Sequence, residues 1–106
     1  MSLNVVQASE SSRKKRVTIL GSTGSIGCST VDLIRRAPEL YDVVALTAHS
    51  NVDRLASQAI ELNAEIAVIG QESLLPQLQA ALHDTSIETA AGSQAIIDAA
   101  AVNADW

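Results

Sequence analysis

Glycines stand at every third position of the run Gly21-Ser22-Thr23-Gly24-Ser25-Ile26-Gly27, with hydroxyl residues between them. Val17-Thr18-Ile19-Leu20 precedes the run, apolar and β-branched without polar alternation, the pattern of a parallel strand buried on both faces. A strand that turns through glycines into a helix presents unpaired helix N–H groups to an anion, backed by the helix dipole. The chemistry this suits is retention of a dinucleotide pyrophosphate. Gly21 permits a sharp exit from the strand, Gly24 lets a phosphate approach the backbone, and Gly27 lets the helix pack tightly on the sheet. The N–H groups of Thr23 to Ile26 then face the pyrophosphate. The dipole contributes only ~0.3–1 kcal/mol, up to ~2 when partly buried. The N–H bonds therefore supply most of the grip, helped by the hydroxyls of Ser22, Thr23 and Ser25. The spacing G-x-x-G-x-x-G differs from the commonest dinucleotide fingerprint, and the strand before it and helix after it make it informative. No Gly-Lys-Ser/Thr follows, which excludes a P-loop.

A second informative site closes the second strand. A domain selective for NAD places Asp or Glu there, about 20 residues past the glycines, to bind the ribose 2′-OH. This chain has Thr47-Ala48-His49-Ser50-Asn51 instead, with Asp42 before the strand and Asp53 inside the next helix. A carboxylate repels a 2′-phosphate, whereas hydroxyl, amide and imidazole groups donate to it. Ser50, Asn51 and the following helix start therefore suit NADP, with Arg54 a candidate counter-charge. Ser50 and Asn51 also read as plain capping residues, and the two roles are compatible. His49 reads equally as a group stacked near the adenine or as a solvated loop residue. His83 reads as a surface residue at a helix C-terminus. Cys28, just inside the first helix, reads as a small buried side chain between helix and strand. No metal-ligand cluster, nucleophile–base pair or paired-carboxylate site emerges. Asp32, Glu39, Glu61, Asp84 and Asp98 scatter as solubilising charge.

The elements that must hold these residues alternate. The first strand, Val17–Leu20, leads to a helix from about Gly24 to Ala37, with Ile26, Thr30, Leu33, Ile34 and Ala37 on its apolar face and Pro38 as its stop. Val43–Thr47 reads as the second strand. The helix after it runs from Val52 to about Leu62, with a stripe of Leu55, Ala56, Ala59 and Ile60, Asn51 as N-cap and Asn63 as stop. Ile66–Ile69 is the third strand, closed by Gly70. Ser73 is a candidate cap for a helix over Leu74–Leu82, with Pro76 in its first turn. Ile87–Ala90 and a helix over Gln94–Ala101 complete a β-α-β-α-β-α-β-α order. The fold class expected is α/β, a Rossmann-like parallel sheet with flanking helices, truncated where a further strand would follow Trp106. Residues 1–15 read as a flexible leader and 16–106 as the domain.

Of the 106 residues 47% are hydrophobic and 18% charged, a globular rather than disordered balance. The formal net charge of −5 argues against nucleic-acid binding, which needs a clustered positive face. Arg13-Lys14-Lys15-Arg16 is the one basic cluster and reads as a solvated flank. No apolar run approaches the ~20 residues of a membrane span, and the first dozen residues lack a signal-peptide pattern. A single cysteine fits a reducing compartment, the cytoplasm.

The run Val17–Thr30, with its Gly-Ser-Thr-Gly-Ser-Ile-Gly-Cys-Ser-Thr core, closely resembles the cofactor motif of the 1-deoxy-D-xylulose 5-phosphate reductoisomerase family. Val43–Val52 resembles that family's second strand and loop, and the likeness extends from about Arg16 to Trp106. The resemblance implies an NADPH-dependent enzyme of isoprenoid precursor synthesis. It converts 1-deoxy-D-xylulose 5-phosphate to 2-C-methyl-D-erythritol 4-phosphate with a divalent cation, Mg²⁺ or Mn²⁺, usually as a homodimer. Thr23, Gly24, Ser25 and Ile26 match the family's pyrophosphate turn, and Asn51 a cofactor contact. Many members carry glycine and a basic residue before that asparagine, where this chain has His49 and Ser50. The cofactor-binding residues expected are thus Gly21, Thr23, Gly24, Ser25, Ile26, His49, Ser50 and Asn51. Metal-binding carboxylates, substrate-phosphate contacts and lid lie, on this resemblance, beyond these residues, in catalytic and C-terminal domains that the chain lacks. A chain of this length alone is then expected to be inactive. Two further readings use the same turn: a non-catalytic dinucleotide-binding module, and another NADP-linked dehydrogenase domain.

Overall fold

The computed structural model describes residues 14–101. Most of the expected leader, residues 1–13, and the final residues 102–106 lie outside that range. Strand β1 spans Lys15–Ile19, starting inside the expected leader, and Leu20 passes into the turn. Helix α1 spans Ser25–Arg36 and ends at Ala37, which Pro38 pushes out of helical geometry (φ −138°, ψ 59°). A short 3₁₀ turn, Pro38–Leu40, then feeds β2 directly, so that strand runs over Tyr41–Ala48, longer than its apolar centre suggests.

Helix α2 covers Val52–Leu62 between the expected stops. Asn51 Oδ1 accepts from the Arg54 N–H at 3.2 Å, and Asn63 closes the helix in the left-handed conformation (φ 53°). Strand β3 is Ile66–Ile69. A 3₁₀ turn over Glu72–Leu74 replaces the expected cap at Ser73, whose hydroxyl accepts from the Gln71 side chain instead. Helix α3 follows as Leu75–Ala81 with Pro76 in its first turn, where no intrahelical N–H is needed. Strand β4 is Glu88–Ala91, and α4 is Ser93–Ala100.

The four strands are parallel in the order β1-β2-β3-β4. Val17 pairs with Val43 but Thr18 with Ala45, so β2 carries one extra residue, a bulge at Val44. The bulge shifts the alternation of β2. Val43, Leu46 and Ala48 face one layer, while Val44 and Ala45 face the other. On the first face Val31 and Ile34 of α1, Leu55, Ala56 and Ala59 of α2 and Leu78 of α3 close the larger core. On the second, Ala95, Ile96 and Ala99 of α4 cover Val44, Ala45 and Val68. Right-handed crossovers that step one way across a sheet leave their helices on one face. The placement of α1, α2 and α3 follows that rule, and α4 marks the change of face.

Two helix faces differ from the periodicity reading. In α1 the buried positions are Gly27, Val31 and Ile34, whereas Ile26 is 84% and Leu33 53% exposed. Helix α1 carries two adjoining apolar stripes, and the close approach allowed by Gly27 selects the one that meets the sheet. In α2, Ile60 is exposed and Gln58 takes a place in the buried arc.

Candidate functional site

The glycine turn sits at the carboxyl end of β1 and is tied to the end of β2. The Gly21 N–H donates to Thr47 Oγ1 at 3.0 Å, and the Ser22 N–H to the Thr47 carbonyl at 2.8 Å. Gly21 adopts φ +68°, a left-handed conformation that favours glycine. A Cβ on Gly27 would run into the Gly21 carbonyl oxygen and lie 2.7 Å from Ser22 Cα, so the helix could not approach the turn with any side chain there. Gly24 is different. It has extended geometry (φ −77°, ψ 174°), and a Cβ there would meet only the Gly21 oxygen at an ordinary 3.5 Å. The fold itself does not require glycine at position 24.

The N–H groups at the helix start are not all alike. The Gly24 N–H donates to the Gly21 carbonyl at 3.1 Å, so it is spent inside the turn and leaves the set expected to face an anion. The main-chain N–H groups of Thr23, Ser25 and Ile26 have no backbone acceptor among the described residues. No side chain caps α1, and its first turn carries no acidic residue, so the positive end of its dipole is uncompensated there. A groove of about 520 Å³ opens beside this helix start, lined by β1, Gly24 to Gly27 and Thr30, with no carboxylate in its walls.

His49, Ser50 and Asn51 follow β2 at the same edge of the sheet, two residues from the Thr47 that anchors the turn, and His49 and Ser50 are exposed. His49 lies over Gly70, where a Cβ would come within 3.3 Å of Nδ1. Asn51 spends Oδ1 on the α2 cap, which confirms its capping role and leaves its amide nitrogen without a hydrogen bond among the described residues. The Arg54 side chain lines a polar groove between α1 and α2 with Cys28, Ser57 and Gln58.

Cys28 is only half-buried, unlike the expected packing residue, and its Sγ lies 3.5 Å from the Thr23 carbonyl. His83 is exposed, with Nδ1 2.9 Å from the Ala80 carbonyl and Nε2 3.1 Å from Asp84. Arg16 bridges Asp42 and Glu65, each at 3.4 Å. Hydrogen bonds to Asp32 and Glu61 raise the Arg35 pKa above its ordinary value, on the exposed flank of α1. Among the described residues no three His, Cys, Asp or Glu side chains gather as a metal site, and no helix is long and apolar enough to cross a membrane.

Two residues of the turn's support escape a reading by motif. Thr47 looks like the last β-branched residue of a strand, yet its side chain and carbonyl both hold the turn. Gln58 looks like a surface glutamine, yet its Nε2 donates to the Ser22 carbonyl at 3.0 Å. The available signal was its place three residues after Leu55, inside the buried arc of α2.

A parallel sheet with helices on both faces and a glycine turn opening α1 at its carboxyl edge defines a Rossmann-like α/β domain. Residues 17–106 match the family model of 1-deoxy-D-xylulose 5-phosphate reductoisomerase, and the chain belongs to that family. It is 56% identical over 93 residues to the reductoisomerase of Jannaschia sp. (strain CCS1), a match covering 88% of this chain and 24% of that protein. With that of Ruegeria sp. (strain TM1040) it shares 51% over 92 residues, 87% of this chain and 23% of the relative. The solved reductoisomerase from Zymomonas mobilis in complex with NADPH superposes with a TM-score of 0.88 at 50% identity, covering 89% of this chain and 25% of that one. A reductoisomerase structure in complex with magnesium gives 0.78 at 31% identity, covering 86% and 23%. The chain thus spans about a quarter of the length of these relatives.

Proposed function

We propose that this chain is the NADPH-binding part of an enzyme that reduces and isomerises 1-deoxy-D-xylulose 5-phosphate to 2-C-methyl-D-erythritol 4-phosphate, in isoprenoid precursor synthesis. The observation that carries the reading is Gly24. The fold leaves room for a Cβ there, so the missing side chain serves something that approaches from outside, beside three N–H groups without acceptors. Those groups fit a phosphate anion. Family membership and the NADPH named with the Zymomonas mobilis structure support the choice of dinucleotide.

In this reading Gly21 shapes the turn, and Thr23, Ser25 and Ile26 donate main-chain N–H bonds to the pyrophosphate. Gly24 clears its path. The exposed Ile26 side chain offers an apolar wall, and His49, Ser50 and the Asn51 amide would hold the adenosine 2′-phosphate. NADPH, when bound, supplies the hydride. A divalent cation, substrate contacts and the partner subunit of a homodimer belong to the longer enzyme, which works in the cytoplasm with neither nucleic acid nor membrane as partner. Residues 16–106 form its cofactor domain, with Lys15 already part of β1.

Isothermal titration with NADPH and NADH tests the reading, on this chain and on a full-length polypeptide that contains it. NADPH should bind more tightly in the full-length protein. Equal or tighter binding of NADH there would overturn the 2′-phosphate assignment.

A further inference from the structure

Gln58 is the one large polar side chain in the buried arc of α2, 7% exposed among Val52, Leu55, Ala56 and Ala59. Its Oε1 has no hydrogen-bond partner among the described residues. A buried amide with an unpaired oxygen costs stability that a methionine of similar length would not. The amide is therefore poorly explained as a packing residue.

What it provides is direction. Nε2 donates to the Ser22 carbonyl at 3.0 Å, between residues 36 apart in sequence, and lies 3.8 Å from Cys28 Sγ. Cys28 Sγ in turn lies 3.5 Å from the Thr23 carbonyl. Thr47 holds the same turn from the other side, through the Gly21 and Ser22 N–H groups. Asn51 caps helix α2 about two turns before Gln58. One side chain thus joins the helix behind the Asn51 loop to the turn that opens α1.

We propose that Gln58 is a positioning residue for the dinucleotide, setting the glycine turn at a defined distance from the Asn51 loop so that one ligand engages both. The inference rests on the cofactor reading above. It predicts that loosening the link hurts only a ligand that spans both anchors.

Gln58→Met removes the donor and keeps the volume. Thr47→Val removes the acceptor for the Gly21 N–H, and Thr47→Ser restores it. Each variant and the wild type are titrated with NADPH and with adenosine 2′-monophosphate, which lacks the pyrophosphate. Loss of one hydrogen bond should weaken NADPH about three- to tenfold in Gln58→Met and Thr47→Val. Thr47→Ser should bind as wild type, and the monophosphate affinity should stay constant throughout. Amide exchange gives a readout without ligand: Gly21, Ser22 and Gly24, whose N–H groups are hydrogen-bonded in the turn, should exchange faster in Gln58→Met, with β3 unchanged. Unchanged NADPH affinity in Gln58→Met, an equal loss for both ligands, or unchanged exchange at the turn each overturns the proposal. A wild type that binds neither ligand overturns the cofactor reading instead, and removes what Gln58 would position.

Discussion

Gly24 and Gly27 stand one helical turn apart and are glycines for different reasons. At Gly27 the constraint is internal, because a Cβ would strike the backbone of Gly21 and Ser22. At Gly24 the nearest atom would be 3.5 Å away and the backbone is already extended. Stability and binding should therefore separate. Gly27→Ala should lower the free energy of unfolding by about 1–3 kcal/mol, read by urea denaturation, through overpacking against a rigid turn. Gly24→Ala should change it by less than about 1 kcal/mol, the scale of an N-cap replacement, while weakening NADPH by more than tenfold in titration. A Gly24→Ala variant that binds like wild type would remove the chief support for a phosphate at the turn.

At the scale of elements, α2 is the best specified, with an end signal on each side. Asn51 satisfies one orphan N–H at its start, and Asn63 absorbs the left-handed turn at its end, where its N–H reaches the carbonyls of Ala59 and Ile60. Asn63→Ala should cost about 1 kcal/mol, because alanine lacks the short polar side chain whose local hydrogen bonding lets asparagine tolerate that conformation. Asn63→Gly should be neutral or stabilising by circular-dichroism melting, since glycine accepts φ 53° without strain. Two equally stable variants would mean that the helix frays at Leu62 and the turn carries no constraint. Helix α1 has no side-chain cap and depends on its packing through Gly27, Val31 and Ile34. An uncapped start is a cost to the isolated helix and an opening for an anion, so the N–H groups of Thr23, Ser25 and Ile26, without backbone acceptors among the described residues, serve stability poorly and binding well.

The whole molecule couples folding to ligand through mass action. Two layers of helix on a four-stranded sheet give a modest core, and the smaller cluster under α4 holds only Val44, Ala45, Val68 and Ala99 as fully buried members. A ligand that binds only the folded chain adds about 2.7 kcal/mol of stability at 100 times its dissociation constant. For a domain of this size that corresponds to a rise of roughly 10 °C or more in melting temperature. The rise should be larger with NADPH than with NADH at equal concentration in scanning calorimetry. The same rise with both would mean that the 2′-phosphate makes no net contribution.

The sequence by itself determined the order and type of the elements, the turn at Gly21–Gly27 and both ends of α2. Each of these rests on local chemistry: β-branched runs, a proline after α1, glycine and asparagine where the backbone needs them. The stripe of Leu55, Ala56 and Ala59 in α2 was legible and only Ile60 departs from it, whereas which apolar stripe of α1 meets the sheet was not, because that helix carries more apolar residues than one face buries. Only the tertiary structure exposed Ile26, Leu33 and Ile60, buried Gln58, placed the bulge at Val44 and moved α4 to the other face. It also decided that the Gly24 N–H is spent within the turn and that Thr47 and Gln58 hold that turn. Those contacts join residues 26 and 36 positions apart. Short-range pattern does not encode such partners, since they exist only once the strands have set their register and the helices their depth.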